Sequence, residues 1–147
     1  MHIDGLDDDA IRQVLSATRR IAVVGASANQ DRPSYEVARF LVASGYDVTP
    51  VNPGLAGQSL HGRLAVGHLD GALPLDLVDV FRNHDQVSPV VDDAIRLGAR
   101  VVWMQLGVVH EEAAARARAA GIVVVMDRCP VIEAARLGMA LGITGPA

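Results

Sequence analysis

The chain of 147 residues has one cysteine, Cys129, and only 3% aromatic residues. A single cysteine excludes an internal disulfide framework and fits a reducing, cytoplasmic setting. So few aromatics leave no stacking platform for single-stranded nucleic acid. Basic residues are outnumbered, 13 Lys and Arg against 17 Asp and Glu, for a net charge of −4. A nucleic-acid backbone demands a basic face, so nucleic acid is excluded as the principal partner. No apolar run reaches the ~18 residues of a membrane-spanning helix, and we expect no membrane association. The acidic opening Met1-His-Ile-Asp-Gly-Leu-Asp-Asp-Asp9 leads us to expect no secretory signal. The five histidines (His2, His61, His68, His84, His110) lack ligand spacing on one helix, so no metal site is expected.

What is present is the composition of a globular domain, half hydrophobic and 20% charged. We expect a single domain over residues 1–147, burying about two-thirds of its unfolded surface. The strongest local signal is Ile21-Ala-Val-Val-Gly-Ala-Ser-Ala-Asn-Gln-Asp-Arg-Pro-Ser34. A β-favouring run opens onto Gly25, a polar loop follows, and helical periodicity begins near Ser34. Such a connection presents backbone N–H groups and about half a positive charge to an anion. Ser27, Arg32 and Ser34 in this loop are anion-binding types. The dinucleotide fingerprint G-x-G-x-x-G is missing, because Ser27 and Gln30 stand where its second and third glycines belong. The next strand ends at Asn52-Pro53 and offers no acid for a ribose diol, which disfavours NAD a second time.

Strand and helix patterns alternate along the rest of the chain. Asp7-Asp8-Asp9 opens a helix that faces the core with Ile11, Val14 and Leu15, and residues 1–18 are expected to cover the sheet. Ser34–Ser44 reads as a helix with Val37, Ala38 and Leu41 inward and Gly45 as its stop. Tyr46–Val51 reads as a strand, with Pro50 marking its end. Between Asn52 and Pro74 the chain reads as irregular, apart from a short strand at Arg63–Val66. Asp76–Phe81, Val101–Gln105 and Ile122–Met126 read as buried strands. The helices between and after them are expected from a Ser88 cap with Pro89 at the first position to Leu97, over His110–Ala120, and from Val131 to Leu137. Residues 142–147 read as a frayed tail. The alternation predicts a Rossmann-like three-layer α/β domain: a mostly parallel five- to six-stranded sheet with helices on both faces. Ligands of such sheets bind outside the carboxyl ends of the strands.

The segments Val24-Gly-Ala-Ser27, Arg32-Pro-Ser34, Gly45-Tyr46, Pro50-Val-Asn-Pro53, Val80-Phe-Arg82, Val102-Val-Trp-Met-Gln105 and Asp127-Arg-Cys-Pro130 follow one another in an order that resembles the small stand-alone CoA-binding domain family. That family is related in fold to the CoA-binding domain of the succinyl-CoA synthetase α subunit. The resemblance spans roughly Arg19 to Leu137 and implies binding of CoA or acyl-CoA rather than ligase chemistry. It implies that Gly25, Ala26 and Ser27 approach the pyrophosphate and that Arg32 pairs with a phosphate. Val51, Asn52 and Pro53 would line the adenosine end. Val80, Phe81 and Arg82 would flank the pantetheine or the 3′-phosphate, and Gln105 would sit at the reactive end. The family often continues Pro-Val-Asn-Pro with lysine, where this chain has Gly54; Arg63 and Arg39 are the alternatives for that cation.

Cys129 stands at a helix start beside Arg128, an arrangement that would lower a thiol pKa. No Cys-His spacing accompanies it, and a small buried residue in a tight turn is the simpler reading. Asp92-Asp93 reads as a solvated helix face and Trp103 as core. No second convergent set of acid, base and nucleophile is visible, so the chain reads as a small-molecule binding protein without catalysis of its own. Two alternatives stay open: a nucleotide-cofactor-dependent enzyme (acyl transfer or oxidoreductase, through Gln105 or Cys129) and a ligand-free Rossmann interaction module. A homodimer or a partner protein also stays open.

Overall fold

Alternation of side chains along short parallel strands decides this architecture. The structure, a computed structural model, describes residues 2–140. In chain order the elements are α1 (Asp8–Ala17), β1 (Arg20–Val24), α2 (Pro33–Ala43), β2 (Asp47–Val51), β3 (Ser59–Leu60), β4 (Arg63–Leu64), β5 (Leu77–Val80), α3 (His84–Arg96), β6 (Val101–Met104), α4 (Glu111–Ala119), β7 (Val123–Val125) and α5 (Pro130–Arg136). Five strands form a fully parallel sheet in the order β2-β1-β5-β6-β7, and β3 pairs with β4 in a separate antiparallel hairpin. The domain is thus α/β and Rossmann-like, as its sequence predicts.

Successive strand residues point to opposite faces, and each face buries its own set of helices. Ala22, Val24, Val78, Val80, Val102 and Met104 pack with Val87, Val91 and Ala94 of α3 and with the alanines of α4. Ile21, Val23, Leu77, Val101 and Trp103 pack with residues of α1, α2 and α5. Chain direction across the sheet reverses at β1 and β5: α2 leaves β1 onto one face, and α3 leaves β5 onto the other. Their N-termini therefore flank one crevice at the carboxyl ends of those two strands, the usual ligand position in such sheets.

Four local expectations need correction. Pro50 lies within the ladder, opposite Val23, rather than ending it. β2 is the edge strand, and the Pro50 carbonyl accepts from the Val66 N–H on the outer side, so the missing donor faces away from β1. The expected strand at Arg63–Val66 is the shorter β4 plus an isolated bridge from Val66 to Val51. The helix expected from Ser88 begins at His84, with Asn83 as its cap residue and Pro89 inside it. Val87, Val91 and Ala94 form one buried stripe, which needs the turn before Pro89 to be helical already. At that position the proline withholds only the bond to the Asp85 carbonyl. β5, finally, reads as a near-continuous apolar strand, yet its one carboxyl, Asp79, is 0% exposed. The tail expected at 142–147 lies outside the described residues. Among the described residues no helix is long and apolar enough to cross a membrane.

Candidate functional site

The site begins at Gly25, whose φ of +90° is open to glycine. A Cβ there would stand 2.1 Å from the Phe81 carbonyl oxygen, so the β1 end can lie against the β5 end only without a side chain. Beyond it the chain is held by its own polar side chains. Asn52 donates from Nδ2 to the Ala26 carbonyl (2.8 Å) and accepts at Oδ1 from the Gly54 N–H (2.9 Å). The Asn29 N–H donates to Ser27 Oγ, and the Asp31 N–H donates to Asn29 Oδ1. Held this way, the loop leaves the N–H groups of Ala26, Ser27 and Ser34 without a hydrogen-bond partner among the described residues. Pro33 opens α2 where an N–H would be unused anyway.

Arg32 precedes α2 as its cap residue and is exposed. Glu36, a possible partner, is taken by Arg39 at 2.8 Å, and Arg32 forms no ion pair among the described residues. A free guanidinium, three free N–H donors and the positive end of an eleven-residue helix converge here.

These groups open onto a cleft of about 580 Å³ at the carboxyl ends of the strands. Of the residues the sequence singled out, Gly25, Ala26, Ser27, Arg32 and Ser34 line it from the loop, and Asn52, Phe81, Arg82 and Gln105 from the other strand ends. Three do not. Val51 and Val80 point to the α3 and α4 face and are buried there, because alternation sends them opposite to Phe81. Val51 and Pro53 line instead a smaller cavity of about 150 Å³, which shares only Arg82 with the main cleft. Neither alternative cation lines the cleft: Arg63 pairs with Asp47 and donates to the Val48 carbonyl, and Arg39 pairs with Glu36.

Several cleft residues were not anticipated. Asn83 and Gln86 arrive because α3 starts early, and Leu106 and Val108 because the chain turns back after β6. Cys129 also lines the cleft, although only 6% exposed. Arg128 is committed to other partners. Its guanidinium is buried and bound to Asp4, to Glu133 and to the Leu6 carbonyl. Burial works to raise the Asp4 and Glu133 carboxyls, but hydrogen bonds from Arg128, joined by Arg136 at Glu133, hold both below their usual values.

Two unpaired buried polar atoms belong to residues that line this cleft. Among the described residues, the buried side-chain atoms without a partner are both oxygens of Asp79, Arg82 Nε and Gln105 Oε1. All belong to the carboxyl-terminal ends of β5 and β6 or the residues just past them. A buried donor or acceptor left unsatisfied costs about 1–3 kcal/mol, and of these residues Arg82 and Gln105 line the cleft whereas Asp79 lies in the core. Asp79 lies between Val23 and Trp103 in the strand register, and burial pushes its carboxyl well above the usual range.

Comparison with known proteins gives the family. The model of the CoA binding domain family matches residues 19–135. The chain belongs to the CoA-binding domain family. Among curated relatives, YneT of Bacillus subtilis (strain 168) is 36% identical over 120 residues, covering 81% of this chain and 87% of YneT. A protein from Pyrococcus horikoshii OT3 shares the structure with a TM-score of 0.86 and 37% identity, over 93% of this chain and 96% of that one. A Thermus thermophilus protein is similar with a TM-score of 0.85 and 38% identity, over 90% of this chain and 99% of its own. The family match covers each segment from Val24 to Pro130 that carried the resemblance.

Proposed function

We propose that this CoA-binding domain holds coenzyme A in the strand-end cleft, with no catalysis of its own. The observation that carries the reading is the convergence of the free N–H groups of Ala26, Ser27 and Ser34 with the unpaired Arg32 guanidinium. Diphosphate needs such an array of donors and positive charge. In this reading the pyrophosphate lies on the Gly25–Ser27 loop and Arg32 pairs with one of its phosphates. Asn52 and the neighbouring cavity at Pro53 take the adenosine end, and Arg82, which faces both cavities, takes the 3′-phosphate side. Phe81 flanks the pantetheine arm, and Gln105 accepts from one of its amide N–H groups. The sole cysteine, free and buried, fits a cytoplasmic setting.

Thermal unfolding tests it. A ligand that binds only the folded state, at 100 times its Kd, stabilises by about 2.7 kcal/mol, or roughly 5–10 °C in Tm for a chain of this size. CoA is expected to give that shift and NAD at equal concentration none, because the loop lacks the glycine spacing for NAD. Equal shifts from both, or none from CoA, would overturn the reading.

A further inference from the structure

Cys129 and Val37 line the cleft, and the same two residues line a second cavity of about 320 Å³ between α2 and α5. The body of that groove is apolar: Phe40, Ala43, Val131 and Ile132. Phe40 and Ile132 stay 38% and 53% exposed, so its outer end is unfilled by the fold itself. The charged residues at its rim, Glu36 and Arg39, bind each other at 2.8 Å and leave no unmatched charge. Gln105 and Cys129 both line the main cleft. The residues just before them in sequence are bonded, the Arg128 N–H donating to the Met104 carbonyl. Gln105, only 5% exposed, keeps Oε1 without a donor among the described residues.

We infer that the groove receives the uncharged aliphatic acyl chain of a CoA thioester, so that the ligand is an acyl-CoA rather than free CoA. The inference rests on the CoA reading of the main cleft. The pantetheine arm carries an amide N–H two carbons before its sulfur. Donated to Gln105 Oε1, that N–H places the sulfur beside Cys129, and the acyl chain then runs past Val37 between α2 and α5. There it sheds water against Phe40 and Ile132. A chain ending in a carboxylate would lose its hydration with no free cation to meet it, since Arg39 is already paired.

Calorimetric titration of the full chain with CoA and with acetyl-, butyryl-, hexanoyl- and succinyl-CoA tests this. Each added methylene is expected to tighten binding by roughly two- to fourfold, so hexanoyl-CoA binds at least tenfold tighter than acetyl-CoA. Succinyl-CoA binds no tighter than acetyl-CoA. Ile132→Glu and Phe40→Glu, both at exposed positions, flatten the series and leave CoA affinity unchanged. A flat series in the unmodified protein that still binds CoA overturns the inference alone. So does an Ile132→Glu variant that keeps the slope, or one that changes only the oligomeric state, which makes the groove a contact between copies. Failure of every thioester and of CoA itself overturns the CoA reading and this inference together.

Discussion

Asn52, at the end of β2, holds the Ala26 carbonyl through Nδ2 at 2.8 Å while its Oδ1 caps the turn at Gly54. One amide thus fixes the far side of the cleft to the loop that presents its free donors. Each such hydrogen bond contributes about 1 kcal/mol net. Asn52→Ala is therefore expected to lower Tm by roughly 2–8 °C and to weaken CoA several-fold, since the donors lose their fixed positions. Scanning calorimetry with and without CoA checks this. An unchanged Tm would show that the loop is held without Asn52.

Gly25 sets the distance between two strands. Gly25→Ala adds a left-handed φ penalty and a contact 2.1 Å from the Phe81 oxygen, backbone that has nowhere to move. Strain and overpacking together cost about 2–6 kcal/mol, enough to unfold a marginal domain. Gly98→Ala is the control: its φ is also positive, but nothing lies within 4 Å of the added Cβ. We expect it to cost only about 1 kcal/mol. Equal losses in the two variants, read by denaturant unfolding, would show that φ alone matters and that the approach to Phe81 does not.

Asp79 makes stability depend on pH in an unusual direction. The unfolded chain releases this proton near the ordinary value of 3.8, whereas burial keeps it on the folded chain to a higher pH. Between those values the native state binds more protons. The contribution of Asp79 is therefore full below the unfolded value and lost as pH rises through the raised one. Asp79→Asn, neutral at every pH, removes that loss. The Tm of the variant minus that of the unmodified protein is expected to rise steadily from about pH 4 towards neutrality. Parallel Tm curves over that range would contradict it.

Period and punctuation made the frame of the fold legible. Ile11, Val14 and Leu15 signal α1, Val37, Ala38 and Leu41 signal α2, and Gly45, Gly98 and Gly121 stop helices with positive φ. What failed was placement within elements. Pro89 imitates a helix start, so the true start at His84, and with it Asn83 and Gln86 at the cleft, stayed hidden. Val51 and Val80 belong to site motifs in sequence, yet strict alternation turns them to the opposite face from Phe81. That correction was available from the period of two alone. The role of Arg128 was not available, because its partner Asp4 lies 124 residues away and no local pattern carries such a pairing. Nor does any sequence signal reveal that Asp79 is buried without a partner.

Arg32 tests the central claim most directly, that the loop and the α2 N-terminus hold the phosphates of CoA. Its guanidinium has no ion-pair partner to lose, so Arg32→Ala is expected to leave the unliganded Tm unchanged. A charge-assisted contact to phosphate contributes about 1.5–3 kcal/mol, which is at least tenfold in affinity. Calorimetric titration of the variant and the unmodified protein with CoA and with 3′-dephospho-CoA is the measurement. The account predicts at least tenfold weaker binding of both ligands to the variant, because both carry the pyrophosphate. Loss confined to CoA would move Arg32 to the 3′-phosphate, and unchanged affinity for both would contradict the phosphate site itself.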